Sequence, residues 1–441
     1  MKGGRVMKRL TFLASIVVTL TVVFSNTIQA QETEAPSKIE VGIQFSSLTF
    51  PGQSAPGAGL VSRSSTEAGF GGRFTFNLNK NIAFEAEGNF FPHDNFSDSS
   101  HSGKLWQGQF GLKAGKRFGK FGLFAKARPG FASFSKTVVQ IGTTTLVDPN
   151  GQTVTIPVFG ARRKTHFSMD VGGVLEFYPS RRVLTRIDVG DTIINYDAAS
   201  GFPVGLTPQT DGRTTHNLQV SAGIGFRFGS LQPEETVPGN RGEKLKRFEV
   251  GGQFSSLGLQ DVEHNTFGVF FTSPSFRDVV TQPGFGGRFT YNLSPKFALE
   301  FQGDFYPKDN FFVNNGRAAG RILQAQAGIK AGKRFEKFGI FAKARPGLVS
   351  FSKGVEIDGL DTTFGFPIFR QVRKNYFSID VGGVLEFYPT QRIVTRFDGG
   401  DTMIRCRSFD LPIFFFPVQT FRIPAETTHN FQFSAGVGYR F

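Results

Sequence analysis

Cysteine is almost missing from this chain of 441 residues. Cys406 stands alone, which excludes an internal disulfide, a CxxC redox pair and a thiolate zinc cluster. Tryptophan occurs once and histidine six times. Charged residues make up 19%, too few for a disordered polyampholyte, and beyond the N-terminus no apolar run reaches the length of a membrane-spanning helix. There is no G-x-S-x-G elbow and no H-E-x-x-H pair, and the recurring GFGG lacks the strand-to-helix context of a phosphate loop. The formal charge of +15 would suit a nucleic-acid partner. Lys and Arg are instead dispersed singly or in pairs among Phe, Gly and carboxylates, with no basic arm or helix, so no nucleic-acid partner is expected.

What the chain has in excess is Gly and Phe, 54 of each. The glycines lack the period of collagen. Residues 1–30 read as a secretory signal peptide: Lys2, Arg5, Lys8 and Arg9, then the apolar run LTFLASIVVTLTVVF, then a small-residue stretch ending near Ala30. An uncleaved anchor is disfavoured because the run falls short of a spanning helix. Cleavage removes four cations and leaves roughly +11. Any membrane insertion by the mature chain then has to use strands.

An internal duplication sets the domain plan. GFGGRFTFNLNKNIAFEAEGNFFPHDNF at 69–96 returns as GFGGRFTYNLSPKFALEFQGDFYPKDNF at 284–311, AGKRFGKFGLFAKARPG at 114–130 returns at 331–347, and DVGGVLEFYPSRRVLTRIDVGDT at 170–192 returns at 380–402. The period is too long for a solenoid, so each copy is domain-sized. The units are 31–228 and 248–441, joined by a polar linker at 229–247.

Within each unit the apolar pattern has period two, the signature of strands. Leu218, Val220, Ala222, Ile224, Phe226 and Phe228 alternate with Gln219, Ser221, Gly223, Gly225 and Arg227, and QFSAGVGYRF repeats the pattern up to Phe441. The fold class is all-β and antiparallel, with eight strands per unit, in the first at about 39–48, 67–78, 81–91, 104–118, 120–134, 164–178, 181–194 and 215–228. Their connections alternate between tight turns, at Asn79-Lys80, Gly119 and Ser180, and long loops. Strands this long, with one apolar face, suit a tilted membrane crossing better than a soluble sandwich.

On these residues the mature chain resembles the small eight-stranded outer-membrane β-barrel proteins of the OmpA/OmpX-like family, duplicated in tandem. The resemblance implies a bacterial outer-membrane location, outer-membrane lipid as surroundings and handling by the barrel assembly machinery, with terminal Phe441 as assembly signal. The single Trp106 departs from the usual aromatic girdle; Phe91, Phe177, Tyr178, Tyr306, Tyr388 and Tyr439 are candidates for part of it. Two architectures remain open, two eight-stranded barrels or one sixteen-stranded barrel. The long linker favours two, because neighbouring strands need only a few residues between them.

The polar strand face carries Glu85, Glu87, Lys113, Lys126, Arg128, Asp170, Glu176, Arg186, Asp188 and Arg227. Copy two carries Glu300, Lys330, Lys343, Arg345, Asp380, Glu386, Arg396, Asp398 and Arg440. An eight-stranded interior is only wide enough for side chains, so these charges are expected to neutralise one another as a structural network, or else to line a narrow solute path. Interior-face glycines such as Gly111, Gly172, Gly223 and Gly225 allow close backbone approach.

No enzymatic activity, cofactor, metal or catalytic residue is expected. His216 and His429, each in TTHN beside Asp191 and Asp401, read as rim hydrogen bonding because no nucleophile accompanies them. Cys406 reads as an incidental thiol near a rim. The stretches VQIGTTTLVDPNGQTVTIPVFG and VEIDGLDTTFGFPIFR read as hairpin extensions, and an unknown ligand would find its easiest site on these loops. The functional reading is a structural or envelope-interface barrel. The alternatives are a porin-like channel for small solutes and a surface binding or adhesion module acting through the loops.

Overall fold

The computed structural model describes residues 37–51, 64–93, 101–147, 151–197, 212–229, 245–260, 279–313, 318–360, 367–413 and 419–441. The signal peptide expected over 1–30 and most of the linker lie outside them.

Strands β1 (Ile39–Phe50), β2 (Ser65–Asn77), β3 (Ile82–Phe91), β4 (His101–Phe118), β5 (Phe121–Val147), β6 (Thr153–Phe177), β7 (Val183–Tyr196) and β8 (Arg213–Phe228) pair antiparallel in chain order. β1 then pairs with β8 and closes a barrel. The second barrel uses β9 (Phe248–Gln260), β10 (Val279–Asn292), β11 (Phe297–Val313), β12 (Ala318–Arg334), β13 (Phe338–Leu360), β14 (Pro367–Phe387) and β15 (Ile393–Cys406). A hairpin of β16 (Phe409–Ile413) and β17 (Gln419–Ile423), unforeseen in the sequence because its strands are short and one holds Pro412, precedes β18 (Glu426–Arg440), which closes on β9. The fold is therefore two closed eight-stranded barrels, and the sixteen-stranded alternative is overturned. Each closing seam sets a carboxylate opposite a guanidinium, Glu40 against Arg227 and Glu249 against Arg440.

Burial alternates along most of the wall, as period two requires, and β3 reads eBeBeBeBiB from Ile82; the run breaks in β8, where Val220, Ser221 and Ala222 are all buried. The exposed positions are the apolar ones, among them Ile43, Phe70, Phe84 and Phe110. The inside-out pattern makes sense only if hydrocarbon surrounds the wall, since each such side chain gains by leaving water.

The barrels stand side by side. Ala222 and Ile224 of the first pack with Phe387, Phe397, Phe433 and Ala435 of the second, and the rings of Phe45 and Phe433 stack at 4.2 Å. Near the short-turn ends the Thr185 and Thr395 hydroxyls share a 3.0 Å hydrogen bond. These threonines occupy the same place in their repeats, within LTRID and VTRFD. The contact is thus isologous, a pseudo-twofold pairing within one chain. Near the long-loop ends β2 runs beside β10, and Lys308 Nζ donates to Thr66 Oγ1 at 3.4 Å.

Candidate functional site

The interior is stratified, and the inward face of each strand writes the strata in order. Along β3 toward the long loops it reads Glu85, Glu87, Asn89, Phe91; along β7 it reads Arg186, Asp188, Gly190, Thr192, Ile194, Tyr196. Charge comes first, then amide and hydroxyl, then apolar.

At the short-turn mouth of the first barrel Arg117 donates to the Tyr178 hydroxyl (3.2 Å), to the Lys80 carbonyl (2.9 Å) and to Asn77 (2.7 Å), while Arg227 faces Glu40 at 3.4 Å. The ionic stratum follows. Lys113 pairs with Glu176 at 2.5 Å and Glu85 at 3.3 Å, and Arg186 bridges Glu85 and Asp188. Arg128 reaches Glu87 and Asp170, both at 2.5 Å, and Lys126 meets Asp170 at 2.8 Å. All of these side chains are buried. Gly111 borders them because a Cβ there would lie 2.2 Å from the Ala127 carbonyl oxygen and 2.7 Å from the Arg128 Cα; Gly328 faces Ala344 and Arg345 in the same way. Gly172 and Gly223 likewise face the backbone of the adjoining strand, whereas Gly225 lies beside the Leu184 side chain.

The second barrel repeats the stratum with one exchange. Lys330 joins Glu386 and Glu300, Arg396 joins Glu300 and Asp398, and Arg345 and Lys343 share Asp380. Where the first barrel has Glu87 and Asn89, the second has Gln302 and Asp304. Arg345 donates to Gln302 Oε1 at 2.5 Å, and Asp304 accepts from Gln253 at 2.8 Å and Gln302 at 2.6 Å. The carboxylate has moved two residues along the strand.

Above the ions lies an amide layer. Gln44 donates to Asn89, Asn89 to Gln107 and Gln107 to Gln219, at 2.9, 3.0 and 2.9 Å, and Thr192 also donates to Gln219. In the second barrel Tyr306 donates to Gln324 and Thr402 to Gln432. Above that, an apolar lid fills each barrel. The first is built from Leu48, Phe50, Phe91, Leu105, Phe134, Ile194 and Tyr196; the second includes Leu257, Ile322, Phe351, Tyr376 and Cys406.

The charged residues expected on the polar strand face are all placed inside, with Arg227 and Arg440 at the mouths; Phe441 is exposed at the end of the closing strand. Arg73, Arg117, Glu40 and their counterparts Arg288, Arg334 and Glu249 also point inward. Continuing the alternation through β1, β2 and the end of β4, and through their copies β9, β10 and β12, would have found them. Four girdle candidates need correction. Phe91, Tyr178, Tyr306 and Tyr388 are buried inside, Tyr178 and Tyr388 donating to Glu176 and Glu386 at 2.7 and 2.8 Å, because their parity matches the carboxylates two residues away. Tyr439 is on the outer face, and Phe177, on the outer parity, is covered. The belt at the short-turn rim also contains Phe, in the stacked pairs Phe118–Phe121 and Phe335–Phe338. Cys406 is buried in the second lid rather than set at an open rim.

His216 and His429 sit on the outer wall with Nδ1 2.6 Å from Asp191 and Asp401. Each Asp also accepts a 3.0 Å bond from the next strand's backbone, at Asn217 or Asn430, which ties β7 to β8 and β15 to β18. Among the described residues no group of three or more His, Cys, Asp or Glu side chains is arranged to hold a metal ion.

The profile of the outer membrane protein beta-barrel domain family matches residues 16–228, which take in the whole first barrel. No curated protein is significantly similar in sequence. Among solved structures, the N-terminal β-barrel domain of Pseudomonas aeruginosa OprF is 11% identical, covering 44% of this chain and 98% of that one, with a TM-score of 0.22. The CymD monoaromatic hydrocarbon channel is 7% identical over 92% of this chain and 89% of its own (TM-score 0.28). The Pseudomonas putida toluene transporter TodX is 10% identical over 93% and 90% (TM-score 0.23). Two closed antiparallel barrels with apolar outer walls, the first matched along its whole length by that family, make this chain a β-barrel protein of the bacterial outer membrane.

Proposed function

We propose that the protein is a closed double barrel with a structural, envelope-interface role rather than a diffusion channel. The observation that supports this reading is the stacking of three filled strata in each lumen. A conducting path needs a continuous wet column. Here an ion first meets a packed, mostly apolar lid, in the first barrel with the His101 and His166 rings among its aromatics, then the amide layer, and then guanidinium and carboxylate groups already paired with one another. The interior carboxylates Glu85, Glu176, Asp170 and Asp188 are each engaged by Lys or Arg, which argues against their serving as catalytic acids or bases.

Insertion of the purified chain into a planar bilayer tests the reading. The expected record is a flat baseline. Reproducible stepwise conductance of porin size would replace it with passive diffusion of small solutes, the second reading. The long-loop hairpins are the surface a binding or adhesion role would use.

A further inference from the structure

We propose that the short-turn rim of both barrels is a binding ring for anionic phospholipid headgroups of the leaflet it meets. The inference rests on the membrane orientation of a barrel with short turns on one side, and it is independent of whether the lumen conducts.

Every short turn carries cations. In the first barrel these include Lys38, Lys80, Lys116, Lys120 and Arg182; in the second, Lys246, Arg247, Lys296, Lys333 and Arg392. Among the described residues of these turns Glu336 is the single carboxylate. The long-loop side instead mixes cations with Asp191, Asp197, Glu356, Asp358, Asp401 and Glu426. A rim of one sign around two adjacent barrels concentrates positive potential on one plane, which suits a sheet of phosphates.

Depth decides the occupant. The KRF tripeptides at 116–118 and 333–335 alternate, so Arg117 and Arg334 turn inward to Tyr178 and Tyr388 while Lys116 and Lys333 turn outward. Lys116 Nζ lies over the Phe118 ring at 5.5 Å and Lys333 Nζ over Phe335 at 5.1 Å. Arg247 donates to the Tyr291 hydroxyl at 3.4 Å and Arg392 to the Tyr439 hydroxyl at 3.1 Å. Phe335 and Tyr439 are exposed on the lipid-facing wall. Cations held against such rings stand at headgroup depth with their stems along the hydrocarbon boundary, where phosphate oxygens are the available acceptors. A soluble polyanion would be better met by cations pointing away from the bilayer.

The test uses the full chain refolded into phosphatidylcholine vesicles, with spin-labelled phosphatidylglycerol or phosphatidylcholine reporting lipid at the protein surface. The expected preference for phosphatidylglycerol is about threefold or more, falling toward one in molar salt. The combined variant Lys80→Gln, Lys116→Gln, Lys120→Gln, Lys296→Gln, Lys333→Gln and Arg392→Gln is expected to abolish it, while Arg163→Gln, Arg373→Gln and Arg405→Gln at the long-loop ends are expected to leave it. A ratio near one in the unmodified protein overturns the proposal, as does an undiminished ratio in the short-turn variant. Binding to an anionic polymer with no lipid preference would assign the cations to that partner and also overturn it. Heat-modifiable migration verifies folding of each variant; if the combined variant does not fold, the salt titration and the three first-barrel substitutions alone decide.

Discussion

Arg128 is the side chain whose loss should cost most. It is completely buried between Glu87 and Asp170, so truncation removes the close cation of Glu87 and leaves Asp170 to Lys126 alone, in a medium that solvates charge poorly. Arg128→Ala is expected to destabilise the first barrel by about 3–5 kcal/mol, read as a lower urea midpoint for loss of the heat-modifiable band. The duplication supplies a contrasting change. Glu87→Gln removes a charge yet keeps an acceptor, and the second barrel tolerates Gln302 at that place beside Asp304. Glu87→Gln with Asn89→Asp is therefore predicted to recover most of the stability lost in Glu87→Gln alone. No recovery would mean that the two barrels distribute their interior charge by different rules. Much of this stratum was legible, because the period-two alternation sends Glu85, Lys113 and Arg186 to one face. Pairing was not: Arg186 is 101 positions from Glu85, and only the closed wall brings them together.

At the scale of elements, the long hairpins divide into wall and ribbon. The last described β4–β5 pair is His101 with Thr137 and the last β6–β7 pair is Phe167 with Asn195, yet β5 and β6 stay paired out to Val147 and Thr153. The outer part is a two-stranded ribbon that the barrel does not need. Replacing residues 139–160 with an Asn-Gly turn is expected to preserve heat-modifiable folding and change the unfolding free energy by no more than about 1 kcal/mol. Failure to fold would show the ribbon to be part of the barrel's nucleus. The alternating Val, Ile and Thr foretold these extensions. The same alternation hid the lids. Phe91, Phe134, Ile194 and Tyr196 follow the inward parity, but an apolar residue at a strand end reads equally well as girdle, and only the curvature of a closed barrel makes those ends converge.

For the whole molecule, the decisive feature is the contact between barrels. A threonine hydroxyl on a lipid-facing wall is left without water, and Thr185 and Thr395 satisfy each other across the pseudo-twofold. In the intact chain, Thr185→Cys with Thr395→Cys is predicted to cross-link on mild oxidation, detected as altered migration after full denaturation; barrels that drift apart in the membrane would give no cross-link. Phe45→Ala and Phe433→Ala are expected to be non-additive, with a coupling of roughly 0.5–1.5 kcal/mol from the ring stack. A double barrel held in this way presents one broad, rigid footprint rather than two independent rods.

Composition and period were enough to specify strands, the duplication and the assignment of Phe to the outer wall, because those properties are local or repeat along the chain. Closure into two barrels, the pairing of each buried charge, the apolar lids and the joint between the barrels were decided in three dimensions. Each depends on which strand edges meet, and hydrogen-bonded edges carry no side-chain pattern that distinguishes a neighbour seven strands on from one fifteen strands on.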